Sequence, residues 1–193
     1  MNIVTLDFET YYDVKCSLTK LTIMEYVKHP MFKVWGVGVQ VNDEQPGWFA
    51  EEDVEWILDD IDWDDSILVC HNTLFDGYIL NHTYKHLGVK PTIYADTAAM
   101  ARGLWPGQSA ALKNVVERCF PNDPHMRKGE ELVKAKGIYD LPPDIENEIA
   151  NYCVQDVNLT RAIHDEMLRF YNFPEFESRV IDLTTRIFCE PPR

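Results

Sequence analysis

The sequence contains no long apolar run and no regular pattern of cysteines. No apolar stretch approaches the roughly 20 residues that a membrane-spanning helix needs, and no basic segment followed by an apolar one marks a secretory signal. The five cysteines are odd in number, widely spaced and free of any CxxC pair, which argues against a zinc knuckle or a disulfide framework. We therefore expect reduced thiols, no membrane contact and a cytoplasmic location.

Basic residues are also scarce. The 193 residues include 18 Lys and Arg against 32 Asp and Glu, which gives a net charge of −14. That balance argues against a protein that coats nucleic acid through a broad basic surface, but it is compatible with an enzyme that grips a short end through metal ions. Hydrophobic residues make up 46% of the chain and charged residues 26%, which predicts one domain of ordinary size, or one domain plus a short extension.

The order of the apolar segments predicts an α/β fold. After an initial antiparallel hairpin, short strands alternate with helices, a pattern typical of a mixed central sheet covered by helices. The predicted strands cover residues 3–10, 32–41, 47–50, 67–70 and 92–95. The predicted helices cover residues 22–28, 51–60, 74–86, 111–119, 144–171 and 175–188, with one more after residues 96–97.

The first strand ends in two carboxylates. Side chains at positions i and i+2 of a strand share a face, so Asp7 and Glu9 project together while Leu6 and Phe8 project the other way. Two neighbouring like charges repel each other and lose solvation, and a divalent cation with oxygen ligands is the simplest compensation. The alternative is a strand that ends at the surface, with both acids in water.

Two further acids lie where a site would collect them. Asp156 falls on the apolar stripe of the long helix, where a charge needs a metal or a basic partner such as Arg161 or Arg102. Tyr152 lies one turn earlier on the same helical face. It is either an aromatic residue of the core or a phenol placed beside the carboxylate of Asp156. Asp76 lies in the first turn of a predicted helix. Its charge either interacts favourably with the helix dipole or belongs to a site at the junction of strand and helix, where the sites of open α/β sheets are found.

Other acids carry no such signal. Asp59, Asp60, Asp62, Asp64 and Asp65 follow one another closely but lack the ordered spacing of metal ligands. We interpret them as a solvated turn.

These residues form three motifs in order along the chain. They are DxE at residues 7–9, NxxxD at residues 72–76 and YxxxD at residues 152–156. From residue 1 to about residue 171, the chain resembles the DEDD family of 3′–5′ exonucleases. One branch of that family has His five residues before the last Asp, where this chain has Asn151. The chain therefore resembles the tyrosine branch, which contains the proofreading domains of family-A DNA polymerases and the ribonuclease D group.

Several segments lean toward the polymerase side of that branch. Asp96-Thr97 and the Ser-Ala-Ala-Leu-Lys segment at 109–113 are similar to proofreading domains, and the Gly-Val-Gly-Val strand at 36–39 looks most like bacteriophage polymerases. The resemblance implies a ribonuclease H-like exonuclease domain over residues 1–173. It also implies that residues 174–193 form a C-terminal helix and connector, leading to a polymerase module absent from this chain.

The resemblance also implies a mechanism and site residues. It implies two divalent cations, Mg²⁺ or Mn²⁺, about 3.5–4 Å apart, with Asp7 bridging both. Glu9 and Asp156 would hold the cation that carries the attacking water, and Asp76 would hold the other through water. Tyr152 would orient the attacking water.

The implied substrate is the 3′ end of DNA, single-stranded or frayed, and the implied product is a nucleoside 5′-monophosphate. Thr10 and Asn72 would contact the terminal nucleotide, while Phe8 and Phe75 would shape its pocket. A polymerase in cis or in trans is the implied partner, in the host cytoplasm if the protein is phage-encoded.

Three alternatives stay open at this point. The first is a ribonuclease D-like exoribonuclease, because the same motifs would serve RNA ends. The second is a DEDD fold kept as an inactive interaction module. The third is an acidic mimic of DNA, which would need rows of surface acids in place of acids that converge on apolar elements.

Overall fold

The centre of the fold is a five-stranded mixed sheet, seen in a computed structural model that describes residues 1–127 and 133–190. The strands are β1 (Asn2–Thr10), β2 (Val34–Val41), β3 (Gly47–Ala50), β4 (Ser66–Cys70) and β5 (Ile93–Asp96). They lie in the order β3-β2-β1-β4-β5. β1 pairs antiparallel with β2 and parallel with β4, so the predicted hairpin followed by parallel strands is confirmed.

Seven helices surround the sheet in the described part of the chain. The predicted helix at 74–86 ends earlier, at His82, and a separate 3₁₀ turn spans Lys85–Leu87. The predicted helix at 51–60 begins as a 3₁₀ turn, Glu51–Asp53. The helices are α1 (Ile23–Val27), α2 (Val54–Asp60), α3 (Thr73–His82), α4 (Thr97–Leu104), α5 (Leu112–Cys119), α6 (Pro143–Arg169) and α7 (Glu175–Cys189).

The two faces of β1 have different surroundings, as its alternating sequence predicts. Leu6 and Phe8 are buried, and the ring of Phe8 stacks on Tyr84, just beyond α3, with 5.8 Å between the ring centroids. The opposite face carries Asp7, where α6 packs and brings the sulfur of Cys153 to 3.8 Å from Asp7 Oδ2. β1 therefore presents apolar side chains toward one helical layer and acids toward the other.

The long helix α6 has the buried stripe that its period predicts. Ile149, Asp156, Leu159, Ile163 and Met167 are all buried, and Tyr152 is half-buried. The buried face is wider than the predicted one, because α6 contacts the sheet on one side and α4 and α5 on the other. The additional buried residues are Cys153, Val157, Thr160 and His164.

Helix α7, part of the predicted connector, covers the open edge of β5. Asp182 accepts a hydrogen bond from the backbone N–H of Tyr94 at 2.8 Å, and Arg186 donates to the backbone carbonyl of Pro91 at 3.1 Å. These contacts satisfy edge groups that would otherwise be free to pair with another strand. The last residues of the predicted connector, 191–193, lie outside the described residues.

The opposite face of α7 is apolar and exposed. Its large side chains recur at steps of four, three and four residues, so they form one stripe along the helix. They are Phe176, Val180, Leu183 and Ile187. Across the described ranges, no helix is both long enough and apolar enough to cross a membrane.

The close approach of α6 to the sheet depends on a glycine. Gly38 pairs with Asp7 across β2 and β1. A Cβ atom at Gly38 would lie 2.8 Å from the sulfur of Cys153 and 2.8 Å from a methyl carbon of Val157. Both distances are too short for real contacts, so only glycine lets α6 lie at this distance from the acid-bearing face of β1.

We expect Gly38→Ala to lower the free energy of unfolding by about 1–3 kcal/mol, because the added methyl group must push α6 away from β2. Urea unfolding followed by circular dichroism measures the change. Gly47→Ala is the matched control in β3, since its Cβ would meet only the ring of Phe49, at 3.2 Å. Equal stability of the Gly38 variant and the unsubstituted protein would contradict the packing argument.

Candidate metal centre

Two acids and a thiol meet at the end of β1. Asp7 and Glu9 are half-buried, and one ligand atom from each lies within 4.8 Å of the other and of the sulfur of Cys153. Cys153 is fully buried, and its thiol donates to the backbone carbonyl of Asp7 at 3.3 Å. Three potential metal ligands therefore converge from β1 and α6.

Asp76 joins the same cluster from the first turn of α3. Its side chain is only 2% exposed, and its Oδ1 accepts a hydrogen bond from the backbone N–H of Phe8 at 3.0 Å. The ladder between β1 and β4 ends at Thr5, so the carboxylate binds β1 beyond the point where strand pairing stops. The third acid is thereby held at the backbone between Asp7 and Glu9.

The electrostatics at Asp76 favour a cation. Burial, followed by the charge of Asp7, raises the pKa of Asp76 well above its usual value. Across residues 1–127 and 133–190, no Lys, Arg or His forms an ion pair with Asp76. A buried carboxylate without a basic partner is costly. The oxygen donors of this cluster are the ligands that Mg²⁺ and Mn²⁺ prefer, so the residues present fit a hard divalent cation.

Asp156 reaches the cluster from α6. It is only 5% exposed and lies three residues, about one turn, after Cys153. Arg161, the basic partner weighed from the sequence, pairs with Asp165 at 2.9 Å and with Asp43 at 3.3 Å. The charge of Asp156 acts on the buried thiol of Cys153 together with the charges of Asp7 and Glu9, so Asp156 lies at the acid cluster.

The charges of the acid cluster affect the ionisation of the Cys153 thiol. Burial raises the pKa of this thiol well above its usual value, and the nearby charges of Asp7, Glu9 and Asp156 raise it further. All three acids therefore act on one buried point. Sequence reasoning missed Cys153, although it directly follows Tyr152 in the third motif and shares a helical face with Asp156.

The turn before α3 is held by a different acid. Asp96, only 3% exposed, accepts hydrogen bonds from the backbone N–H groups of Asn72 and Thr73, at 3.2 and 3.0 Å. It also accepts from Ala98 and Ala99 at the start of α4. Asn72 has a left-handed backbone, with φ of +79°, which asparagine tolerates better than most residues. Asp96 thus connects the starts of the two helices.

A pocket of about 340 Å³ opens beside the acids. It brings together three of the four predicted nucleotide-contacting residues with two predicted catalytic ones, namely Phe8, Thr10, Phe75, Glu9 and Tyr152. The fourth residue, Asn72, lines a separate open depression beside Pro106 and Gln108. The pocket is the natural place for a flat ligand group, because six of its thirteen lining residues are aromatic.

Thr10 has a partner within this pocket. The hydroxyl of Tyr26 donates to the backbone carbonyl of Tyr11, so it accepts from the hydroxyl of Thr10, at 2.8 Å. Tyr26 itself is buried and packs against Phe75, with 6.0 Å between the ring centroids. Helix α1, which carries Tyr26, therefore positions two residues of the pocket wall.

Comparison with known proteins supports the fold. No protein-family model matches the chain, and no curated protein matches it. Solved structures do: a nuclease in its apo form has a TM-score of 0.57 at 17% identity, over 96% of this chain and 80% of that one. NrnC of Brucella melitensis with bound Mg²⁺ has a TM-score of 0.56 at 13% identity, over 96% and 81%. The chain also spans 41% of a protein from Bifidobacterium adolescentis, with a TM-score of 0.61 at 18% identity over 98% of this chain.

These similarities are at the level of the fold. The mixed sheet of this chain, flanked by helices, is the ribonuclease H-like sheet that the sequence predicted.

We expect Asp76→Asn to leave the metal-free protein at least as stable as the unsubstituted one, because the amide keeps an acceptor for Phe8 and removes a buried charge. The variant should lose most of its stabilisation by Mn²⁺. That stabilisation is about 2.7 kcal/mol when the Mn²⁺ concentration is 100-fold above the Kd of the site. Thermal melting with and without Mn²⁺ measures both effects.

The matched control is Asp96→Asn, another buried aspartate. Its carboxylate accepts from four backbone N–H groups, so this variant should lose about 1–3 kcal/mol with or without Mn²⁺. If Asp76→Asn retained the full response to Mn²⁺, the assignment of Asp76 to the metal centre would be wrong.

Proposed function

We propose that this protein is a metal-dependent 3′–5′ exonuclease of the tyrosine branch of the DEDD family, which hydrolyses DNA from its 3′ end and releases nucleoside 5′-monophosphates. The observation that carries the proposal is the convergence of Asp7, Glu9, Asp76 and Asp156 from three elements onto one end of β1. An interaction module would have no reason to bury these acids beside an open pocket. An acidic mimic of DNA would need them on the surface.

Asp7, Glu9, Asp76 and Asp156 would hold two Mg²⁺ or Mn²⁺ ions. When bound, such ions acidify a water molecule and stabilise the charge that develops on the phosphate. The Mg²⁺ in the structure of NrnC, whose fold is similar, supports the choice of metal. In a chain with a net charge of −14, these clustered acids repel the phosphates of a polynucleotide until bound cations neutralise them, so substrate binding should depend on the metal as well.

Tyr152 is the residue of this chain that we assign to the attacking water. It lines the pocket together with Glu9, and it lies one turn before Asp156 on α6. A phenol orients a water molecule by hydrogen bonding and is a poor base at neutral pH. We therefore assign Tyr152 a positioning role at its hydroxyl.

The pocket is suited to the terminal nucleotide. Phe75 is half-buried and offers aromatic surface for the base, and stacking of this kind contributes about 1–3 kcal/mol per base. Phe8 lines the same pocket. Thr10 is fixed by its hydrogen bond to Tyr26, so it would contact the nucleotide from a defined position. Asn72 lines a separate depression beside Pro106 and Gln108, so its predicted contact with the terminal nucleotide stays a prediction.

The test is digestion of a 5′-labelled single-stranded DNA oligomer with Mg²⁺, Mn²⁺ or chelator. We expect a ladder that shortens from the 3′ end with either metal and is absent with chelator. Asp156→Asn should reduce the rate at least about 100-fold, and Tyr152→Phe about 10-fold or more with little change in KM. Asp59→Asn is the matched control, because Asp59 is an exposed acid outside the cluster, and it should retain full activity.

The same experiment with an RNA oligomer of identical sequence decides between DNA and RNA. Faster hydrolysis of RNA would show that the substrate is RNA and not DNA, and it would leave the assignment of the active-site residues unchanged. No shortening of either oligomer by the folded, metal-loaded protein would reject the nuclease and leave an interaction module.

We further propose that this activity proofreads for a DNA polymerase, in cis or in trans. The sequence resemblance supports this role, and so does the exposed apolar stripe of α7, in the segment predicted to connect to a polymerase. A proofreading site should prefer frayed ends, so we expect hydrolysis rates to fall from single-stranded DNA to a mismatched primer end to a matched one. Rates on matched and mismatched ends that do not differ would argue against proofreading.

A further inference from the structure

The connection between β1 and α1, residues 11–21, forms one side of the pocket. It contains neither a helix nor a strand, yet its residues Ser17, Leu18 and Thr19 line the pocket. Leu18 is 45% exposed, so a large apolar side chain stands at the pocket with much of its surface in water. A ligand that enters the pocket would cover this side chain, and burial of apolar surface is favourable.

The shape of this connection depends on Asp13. Its Oδ1 accepts hydrogen bonds from the backbone N–H groups of Lys15 and Cys16, both at 2.6 Å. Its Oδ2 accepts from the hydroxyl of Tyr11 at 2.8 Å, and its own backbone N–H donates to the carbonyl of Cys16 at 2.8 Å. One carboxylate therefore closes residues 13–16 into a tight turn immediately before the three lining residues.

Both ends of this turn are anchored in the core. Tyr11 and Cys16 are buried, and the ring of Tyr11 packs edge-on against Trp35, another lining residue, with 6.2 Å between the ring centroids. The hydrogen bonds from Cys16 and Tyr11 lower the pKa of Asp13 below its usual value. The carboxylate therefore stays charged at neutral pH, and charged acceptors form the stronger hydrogen bonds. The turn thus has a fixed position relative to the pocket.

We infer that Asp13 is a positioning residue for the substrate, which holds residues 17–19 as the outer wall against which the terminal nucleotide packs. The identity of this ligand rests on the proposed function. Asp13 itself is not among the residues that line the pocket, so it acts through the turn and not by contact with the nucleotide. Without its carboxylate, residues 17–19 lose their fixed place, while the acids on β1, α3 and α6 keep theirs.

The test measures the binding of deoxythymidine 5′-monophosphate, a product of the proposed reaction, to the full chain with Mn²⁺ by isothermal titration calorimetry. We expect Asp13→Ala to raise the Kd about 10-fold, because the wall is displaced. Asp13→Asn should stay within about 3-fold of the unsubstituted protein, because its amide oxygen still accepts the two backbone N–H groups. Leu18→Ala should raise the Kd about 5-fold through lost apolar contact, and it should keep the fold because Leu18 is half-exposed.

The matched control is Asp123→Ala. Asp123 lies in another turn, where its Oδ1 accepts from the backbone N–H of His125 at 2.9 Å, and this variant should leave the Kd unchanged. With the DNA oligomer, Asp13→Ala should raise KM about 10-fold and keep kcat within about 2-fold, because the lost contact serves ground state and transition state alike. A role in fold stability alone would lower the melting temperature of Asp13→Ala and leave the Kd of the folded variant unchanged.

Three results would overturn the inference. They are no binding of the nucleotide by the folded, metal-loaded unsubstituted protein, unchanged binding by folded Asp13→Ala or Leu18→Ala, and binding by Asp13→Asn that is no tighter than that of Asp13→Ala. Because the calorimetric readout needs no hydrolysis, a protein that binds the nucleotide with this dependence on Asp13 but digests neither oligomer would reject the proposed nuclease alone.

Discussion

The structure is organised around mutual repulsion of carboxylates at the end of β1. Asp76 is held against the backbone of that strand by Phe8, and its charge faces that of Asp7 in a buried place. An arrangement of this kind costs folding free energy, because neighbouring like charges repel each other and lose solvation. A fold that keeps it must recover that cost elsewhere, and the apolar layers on both faces of the sheet are where it does so.

The secondary-structure elements around the acids restrict the positions of their side chains. β4 stops pairing with β1 at Thr5, which frees the backbone that Asp76 then binds. Gly38 lets α6 approach, and α6 brings Asp156 together with Cys153. Each acid is thus held by a rigid element rather than by a loop, which is what catalysis through bound cations requires, since small displacements of ligands cost affinity and rate.

The pocket and the acids share β1, α3 and α6, but the pocket wall depends on one further element. The pocket wall depends on α1 through the contact of Tyr26 with Thr10 and Phe75. The acids depend on β1, α3 and α6. Substitutions in α1 should therefore affect ligand binding in the pocket more than metal binding.

The sequence by itself determined the elements and the positions of the acids on them. A period of two predicted β1 and the shared face of Asp7 and Glu9, and a period near 3.6 predicted α6 with Asp156 on its buried side; both predictions are confirmed. These patterns are local, so one segment suffices to reveal them. Only the tertiary structure placed the thiol of Cys153 beside Asp7, 146 residues away, revealed Asp96 as the shared cap of two helices, and separated Asn72 from the pocket. Such contacts depend on how distant segments pack, and no periodicity within a segment records that.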